Sequence, residues 1–298
     1  MIARSYLYVP GHVPGDSGAR LKRAASRGAD AVIADLEDSV APSRKADAVH
    51  AVAAWLAERS DDGVQRWVRV NAGRRGVEDL RAVSGPALDG IVIPKVMTPA
   101  DVQQIASALH DLEQTQPAGT GGRIAIMVLI ETARGLRDVD SVAAHPAVWA
   151  LQLGELDLAA ELGLVRTAHE SELLYARSRV VTASAAAGLQ PPVAAVSPDF
   201  VDLDGFQVST QHLKQLGFVG RAVIHPAQVP IAHEVFTPTR DDVEAARRTF
   251  AAHEAALSAG MGVTVDEQGR MVDEAVIRTS RRTVTLARRP HEEGGVIS

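Results

Sequence analysis

Two apolar runs in the sequence end on carboxylates. The run "IAIMVLIE" ends at Glu131, and "VWALQLGELD" ends with Glu155 and Asp157. Carboxylate oxygens are the ligands that hard divalent cations such as Mg²⁺ prefer. Because the chain has no cysteine, a thiolate zinc site is excluded. We therefore predict a Mg²⁺ site here, with Mn²⁺ as the alternative, completed by a chelating substrate and water.

Polar residues also end several of the other apolar runs. They are Asp35, Glu37 and Asp38 after the second run, Arg69 and Asn71 after the third, Lys95 after the fourth and His225 after the eighth. Each has a structural alternative. Glu37 and Asp38 could cap the next segment, Lys95 could form a solvent-exposed salt bridge, and His225 could be a hydrogen-bonded structural histidine.

These polar residues need a fold that brings them together. Eight apolar runs are separated by alanine-rich stretches with helical spacing; the runs are 5–11, 31–38, 66–71, 90–96, 123–131, 148–157, 191–196 and 221–226. Continuous apolar runs are typical of parallel strands covered on both faces. The alternation predicts a (β/α)₈ TIM barrel, with a doubly wound open sheet as the alternative. In a barrel, the polar residues would meet at the C-terminal ends of the strands, where active sites lie.

Composition excludes several other classes of protein. With 298 residues and 46% apolar side chains, the chain can bury a large core, and a net charge of −6 offers no general basic surface for nucleic acid or membrane. The sequence shows no signal peptide and no membrane-spanning run, so we expect an unprocessed, cytoplasmic protein. The phosphate-loop, dinucleotide-binding and G-x-S-x-G motifs are absent.

Seven segments together resemble the citrate lyase beta-subunit-like family of the HpcH/HpaI aldolase superfamily. They are "RSYLYVPG", "GADAVIADLEDSVAPSRK", "VRVN", "VIPKV", "LIETARGL", "LGELDLAAELG" and "GFVGRAVIHPAQV", in that order, and the resemblance extends from residue 4 to about residue 285. It implies a TIM barrel that uses Mg²⁺ to make or break a carbon-carbon bond between an acyl-CoA and a keto acid.

The resemblance also implies roles for individual residues. Glu131 and Asp157 would be the metal ligands, and Arg69 would bind the keto acid or the developing enolate oxygen. Three further carboxylates, Asp35, Glu37 and Asp38, would surround and support them. Glu155 stands where many relatives have a neutral residue, and it could add a supporting charge or have no role. Arg20, Arg23 and Lys45 match family positions that bind CoA phosphates, although they could equally be ordinary solvated residues on helices.

The C-terminal segment resembles a lid. Residues 263–284 predict a hairpin that turns at "DEQG" and leads into an amphipathic helix. "GRMVDEAV" resembles the lid of malyl-CoA and citramalyl-CoA lyases, whose aspartate, here Asp273, reaches the active site of a neighbouring subunit. The alternative is that Asp273 caps the helix that starts at Glu274. The resemblance implies a catalytic barrel over residues 1–240, a helix and lid over 241–298, and a homotrimer or hexamer.

Departures from the family pattern bear on the choice of substrate. Val49 replaces an arginine, Val193 and Ala194 stand where an aspartate is expected, and "GHVPGDSG" is longer than usual. The resemblance implies a lyase acting on malyl-CoA or citramalyl-CoA. A malyl-CoA-type thioesterase, a citrate lyase beta subunit served by an acyl carrier, and a CoA-independent pyruvate aldolase remain alternatives.

Overall fold

The computed structural model describes residues 3–15, 18–58, 62–85, 87–115, 124–258, 260–266 and 269–287. Eight parallel strands form a closed barrel in chain order, and the eighth pairs with the first. They are β1 (Ser5–Pro10), β2 (Ala31–Asp35), β3 (Gln65–Arg69), β4 (Gly90–Ile93), β5 (Ala125–Ile130), β6 (Val148–Leu153), β7 (Val193–Ala194) and β8 (Gly220–Val223). This closure confirms the predicted TIM barrel and excludes the open sheet.

Helices follow the strands. They are α1 (Ala19–Ala25), α2 (Lys45–Ala57), α3 (Gly73–Val83), α4 (Pro99–Thr115), α5 (Ala133–Arg137), α6 (Val139–Ala143), α7 (Glu155–Leu162), α8 (Leu174–Ala186), α9 (Leu203–Leu216), α10 (Gln228–Phe236), α11 (Arg240–Ser258) and α12 (Glu274–Ala287). Short 3₁₀ helices lie at Pro42–Arg44 and Ser171–Leu173. Within the described ranges, no helix combines the length and apolar character needed to cross a membrane.

The sixth strand is shorter than the sequence predicted. It ends at Leu153, and Gly154 separates it from helix α7. Glu155 and Asp157 therefore lie in the first turn of a helix and not on the strand, which corrects the predicted run over 148–157. Carboxylates are stabilised there by the positive end of the helix dipole.

Alternation along the strands points every second side chain into the barrel. Tyr6, Ile33, Trp67 and Met127 fill the interior, and the rings of Tyr6 and Trp67 meet edge-on with centroids 6.0 Å apart. The Trp67 ring lies against Gly90, where an added Cβ atom would be 2.2 Å from the ring, so this position requires glycine. Toward the C-terminal ends, the same alternation is occupied by polar residues: Tyr8, Asp35, Arg69, Glu131 and Gln152.

Backbone contacts divide the chain into two compact units, one ending at His233 and the other beginning at Glu234. The second unit contains α11, an antiparallel hairpin of β9 (Thr264–Val265) and β10 (Met271–Val272), and α12. The hairpin and helix agree with the sequence prediction, but residues 267 and 268 of the predicted turn lie outside the described residues. A lid function for residues 241–298 remains a prediction.

Candidate active site

A cavity of about 440 Å³ opens at the C-terminal ends of the barrel strands. Its polar lining consists of Tyr8, Arg20, Asp35, Asp38, Ser39, Arg69, Glu131, Gln152, Glu155 and Asp157. Val9, Leu129, Leu153, Leu156, Val196 and Ile224 supply apolar walls. The barrel thus brings both predicted metal ligands to one cavity with the predicted substrate arginine.

Glu131 follows β5 and is almost completely buried, with 2% of its surface exposed. The backbone N–H of Lys95 donates to its Oε1 at 2.8 Å. Burial, together with the charge of Asp157, raises the pKa of Glu131 to about 8. Gly154 makes this placement of the carboxylate possible, since a Cβ atom there would lie 2.5 Å from Cβ and 2.9 Å from Oε2 of Glu131.

The donor set of Glu131 and Asp157 fits a Mg²⁺ ion. Both are carboxylates, and they are close enough for the charge of one to raise the pKa of the other. Among the described residues, no group of three or more His, Asp or Glu side chains is arranged to hold a metal. Two carboxylates, with the remaining positions left to substrate and water oxygens, are what Mg²⁺ commonly uses.

Arg69 is fixed by a bidentate pair with Asp35. Its Nε and Nη2 donate to the two carboxylate oxygens, each at 2.7 Å, and its Nη1 lies 3.2 Å from Oε2 of Glu37. Burial opposes the charges of both partners, but the hydrogen bonds outweigh it, so the pKa of Arg69 is raised and that of Asp35 is lowered. Arg69 therefore stays cationic beside the cavity.

Glu37, Asp38 and Lys95 form one charged cluster at the rim. The Lys95 ammonium contacts Oε1 of Glu37 and lies 2.9 Å from Oδ1 of Asp38. Burial opposes these interactions, but the two carboxylates raise the pKa of Lys95. Asp38 lines the cavity and Glu37 does not, so the supporting role predicted for Glu37 would be exerted through Arg69 and Lys95.

Glu155 lines the cavity, but an arginine of α8 compensates its charge. Arg177 of α8 donates to both of its oxygens, at 2.7 and 2.9 Å, and also to Glu170 at 2.8 Å. Burial would lower the pKa of Arg177, but these carboxylates raise it. Since its oxygens already bind a buried guanidinium, Glu155 is a weaker candidate for a metal ligand than Asp157.

Tyr8 and Gln152 line the cavity and were not singled out in the sequence. The Tyr8 hydroxyl donates to Oε1 of Gln152 at 3.0 Å, and the Arg69 guanidinium lies over the tyrosine ring, 5.3 Å from its centroid. Burial raises the pKa of Tyr8, which therefore remains a neutral donor. The signal available in the sequence was the inward alternation of "SYLYVP" and "VWALQL".

Two of the three residues predicted to bind CoA lie beside the cavity. Arg20 lines both the main cavity and an adjoining one of about 290 Å³, which Arg23 and Arg27 also line. Lys45 instead donates to the backbone oxygens of Leu36 and Glu37 at 2.7 and 2.5 Å. It also donates to Asn71, so its hydrogen bonds hold the loop after β2 and do not favour the predicted contact with phosphate.

Asp273 caps helix α12. Its Oδ1 accepts from the backbone N–H groups of Ala275 and Val276 at 2.9 and 3.0 Å, which is the alternative that the sequence left open. His225 likewise has structural partners: Nδ1 accepts from Ala227, and the ring stacks on Phe200 at 5.2 Å. The catalytic role of Asp273 remains a prediction.

The model of the HpcH/HpaI aldolase/citrate lyase family matches residues 4–226. The chain belongs to this family. It is 36% identical to a (3S)-malyl-CoA thioesterase of Cereibacter sphaeroides, covering 95% of the chain and 94% of the relative. An L-malyl-CoA/beta-methylmalyl-CoA lyase of the same species is 35% identical over 92% of each chain, and the citrate lyase subunit beta of Escherichia coli is 34% identical over 95% and 93%.

A solved structure is also similar. The CitE protein of Mycobacterium tuberculosis, in complex with magnesium, acetoacetate and coenzyme A, is 29% identical and superposes with a TM-score of 0.73. The match covers 95% of this chain and 97% of that chain. Family membership thus makes the chain an enzyme of the lyase type or of a related type found among these relatives.

Proposed function

We propose that the chain is a Mg²⁺-dependent lyase that cleaves or forms a carbon-carbon bond in a 3-hydroxyacyl-CoA such as malyl-CoA or citramalyl-CoA. The products of cleavage would be acetyl-CoA and a keto acid. The observation that carries this proposal is the convergence of Glu131, Asp157 and Arg69 on one cavity. The lyase relative and the ligands of the CitE structure support the same substrate class.

Glu131 and Asp157 would hold the Mg²⁺ ion. When bound, it would supply Lewis-acid stabilisation for the negative charge that develops as the substrate hydroxyl loses its proton to solvent water. Arg69 would bind a carboxylate or enolate oxygen, and its pair with Asp35 keeps the cation preorganised. Arg20 and Arg23 would contact the CoA phosphates.

Asp273 is proposed as the proton donor. Breaking the carbon-carbon bond leaves its electron pair on the carbon next to the thioester, and a carboxyl group can protonate that carbon in cleavage or deprotonate it in condensation. Both hydrogen bonds that cap α12 are accepted by Oδ1 of Asp273, so the cap does not use Oδ2.

The resemblance to lids that reach a neighbouring subunit supports a homotrimer or hexamer. The cysteine-free sequence fits a cytoplasmic location.

The second candidate is a thioesterase. A 36% identical relative carries that activity in its name, and the same cavity could direct water to the thioester. The two reactions differ in which bond breaks: the lyase releases a keto acid and keeps the thioester, whereas the thioesterase releases free CoA thiol.

Metal dependence tests the proposal. We expect chelation with EDTA to abolish the release of keto acid from malyl-CoA or citramalyl-CoA, and added Mg²⁺ to restore it. Glu131→Gln should lower the rate by about 1,000-fold or more because it removes a charged ligand. Glu254→Gln, exposed on α11, is the control and should stay within about twofold of the wild type. Full activity in EDTA would reject the metal role.

A further inference from the structure

Lys95 has an unusual backbone conformation beside the candidate metal site. It follows β4 and Pro94 with a φ of 54°, and among the described residues only one other non-glycine residue, Glu170, has a positive φ. A side chain disfavours this left-handed region, so such a residue persists only where its surroundings hold it. The surroundings of Lys95 are the groups of the proposed active site.

The left-handed turn lets one residue act in two directions. The backbone N–H of Lys95 donates to Oε1 of Glu131, while its ammonium reaches Glu37 and Asp38. Glu37 in turn lies 3.2 Å from Nη1 of Arg69. Lys95 therefore connects a predicted metal ligand with the carboxylates next to the predicted substrate arginine.

We propose that Lys95 is a positioning residue, whose backbone N–H orients Glu131 for the metal and whose ammonium keeps Glu37 and Asp38 from drawing Arg69 away from the substrate. This inference rests on the proposed function. The competing interpretation is the exposed salt bridge considered from the sequence, which fits the 40% exposure of the Lys95 side chain. A bridge of that kind would not affect Glu131 or Arg69.

Two substitutions separate the contribution of the backbone from that of the side chain. Lys95→Gly removes the ammonium, but glycine adopts a positive φ readily, so the N–H to Glu131 is kept. Lys95→Val also removes the ammonium, and its branched side chain opposes the left-handed conformation. Lys214→Met, on the exposed part of α9, is the control for loss of a lysine.

Equilibrium binding to the full-length protein provides the test. Calorimetry with Mg²⁺ alone should give affinities within twofold of the wild type for Lys95→Gly and about tenfold weaker for Lys95→Val. With Mg²⁺ saturating, pyruvate, a simple 2-keto acid, should bind Lys95→Gly about tenfold more weakly than the wild type. Lys214→Met should match the wild type in both titrations. Melting temperatures identify any variant that is unfolded, and Lys95→Gly should remain folded.

The outcomes are distinct. Equal Mg²⁺ affinity for Lys95→Gly and Lys95→Val would overturn the role of the backbone, and wild-type pyruvate affinity in Lys95→Gly would overturn the role of the ammonium. A wild-type protein that binds neither Mg²⁺ nor pyruvate would overturn the proposed function, and this inference with it. Unchanged variants beside a wild type that binds both would overturn this inference alone.

Discussion

Glu131 is a carboxylate that the fold keeps out of water. Its neighbours are a backbone N–H, the carboxylate of Asp157 and the bare Cα of Gly154, so its charge is only partly compensated within the protein. A cation at this point would stabilise the ionised form of Glu131. This explains why a strand as apolar as β5 leads directly into a glutamate.

Gly154 gives the first prediction at the residue scale. In Gly154→Ala, the new methyl group would meet Cβ of Glu131 at 2.5 Å and Oε2 at 2.9 Å, so the carboxylate must move. We expect the affinity for Mg²⁺, measured by calorimetry, to fall by about tenfold or more.

Gly163, at the other end of α7, is the matched control. It has a φ of 65° and no atom near the position of an added Cβ. Gly163→Ala should therefore cost about 1 kcal/mol of stability and leave Mg²⁺ affinity unchanged. If both variants bind Mg²⁺ like the wild type, the close approach of Gly154 is not important for the site.

Individual roles were harder to predict than the location of the site. Glu131 and Arg69 could be located because the strand ends of a barrel share one face. Asp157 could be located because the helix that follows β6 begins at that same face. The roles of Lys45 and Lys95 could not be predicted from their positions in the sequence. Lys45 donates to backbone oxygens and Lys95 to carboxylates of another loop, and both sets of partners depend on tertiary contacts.

At the scale of elements, all eight strands could be predicted from their apolar runs, because parallel strands are covered on both faces. The ends of the strands were less predictable. The apolar run over 148–157 continues through Gly154 into α7, so the sequence pattern does not mark where the strand ends. In the structure, the strand ends at Leu153 and the helix begins at Glu155. Asp157 therefore reaches the cavity from a helix.

The attachment of α7 to α8 gives the second prediction. Arg177→Met would leave Glu155 buried without its bidentate partner, so we expect a loss of about 3 kcal/mol or more in the free energy of unfolding. Arg179→Met, on the same helix, removes a more exposed pair with Asp140 and should cost less than about 1 kcal/mol. Urea denaturation of both variants checks this, and equal losses would contradict it.

The opposite end of the barrel gives a prediction about pH. Asp30, just before β2, accepts from the backbone and guanidinium of Arg4. Burial opposes ionisation, but these bonds lower the pKa of Asp30 below its usual value. Ionised Asp30 therefore contributes stability above about pH 4, and this contribution is lost as the pH falls through the lowered pKa.

Asp30→Asn tests this linkage. The variant should be less stable than the wild type at pH 7, and the difference should shrink as the pH falls below about 4. Denaturation at several pH values measures it. Asp47→Asn, which removes an exposed pair with Arg44, should show little difference throughout. A difference for Asp30→Asn that is the same at pH 3 and pH 7 would assign the effect to packing.

At the scale of the whole molecule, the question is whether Asp273 acts across subunits. Asp273→Asn keeps an oxygen for the cap of α12 but removes the acid, so we expect turnover to be lost while the protein stays folded. Arg69→Met should also be inactive, because it removes the cation proposed to bind the substrate carboxylate or enolate oxygen. If Asp273 completes the site of a neighbouring subunit, oligomers co-expressed from both variants should recover about a quarter of wild-type activity.

Each variant purified alone is the control for this experiment. Activity that stays absent in the mixed oligomers would place Asp273 and Arg69 in the same subunit's site. An Asp273→Asn variant that is active alone would restrict Asp273 to capping.

Identifying which bond of the substrate breaks is the most direct test of the proposed function. Purified wild-type protein with Mg²⁺ would be incubated with malyl-CoA, citramalyl-CoA and citryl-CoA while keto acid and free thiol are followed separately. We predict keto acid with the thioester retained as acetyl-CoA. Free thiol accompanied by the intact hydroxy acid would contradict the lyase and establish the thioesterase, and no product in either channel would contradict a self-sufficient CoA enzyme.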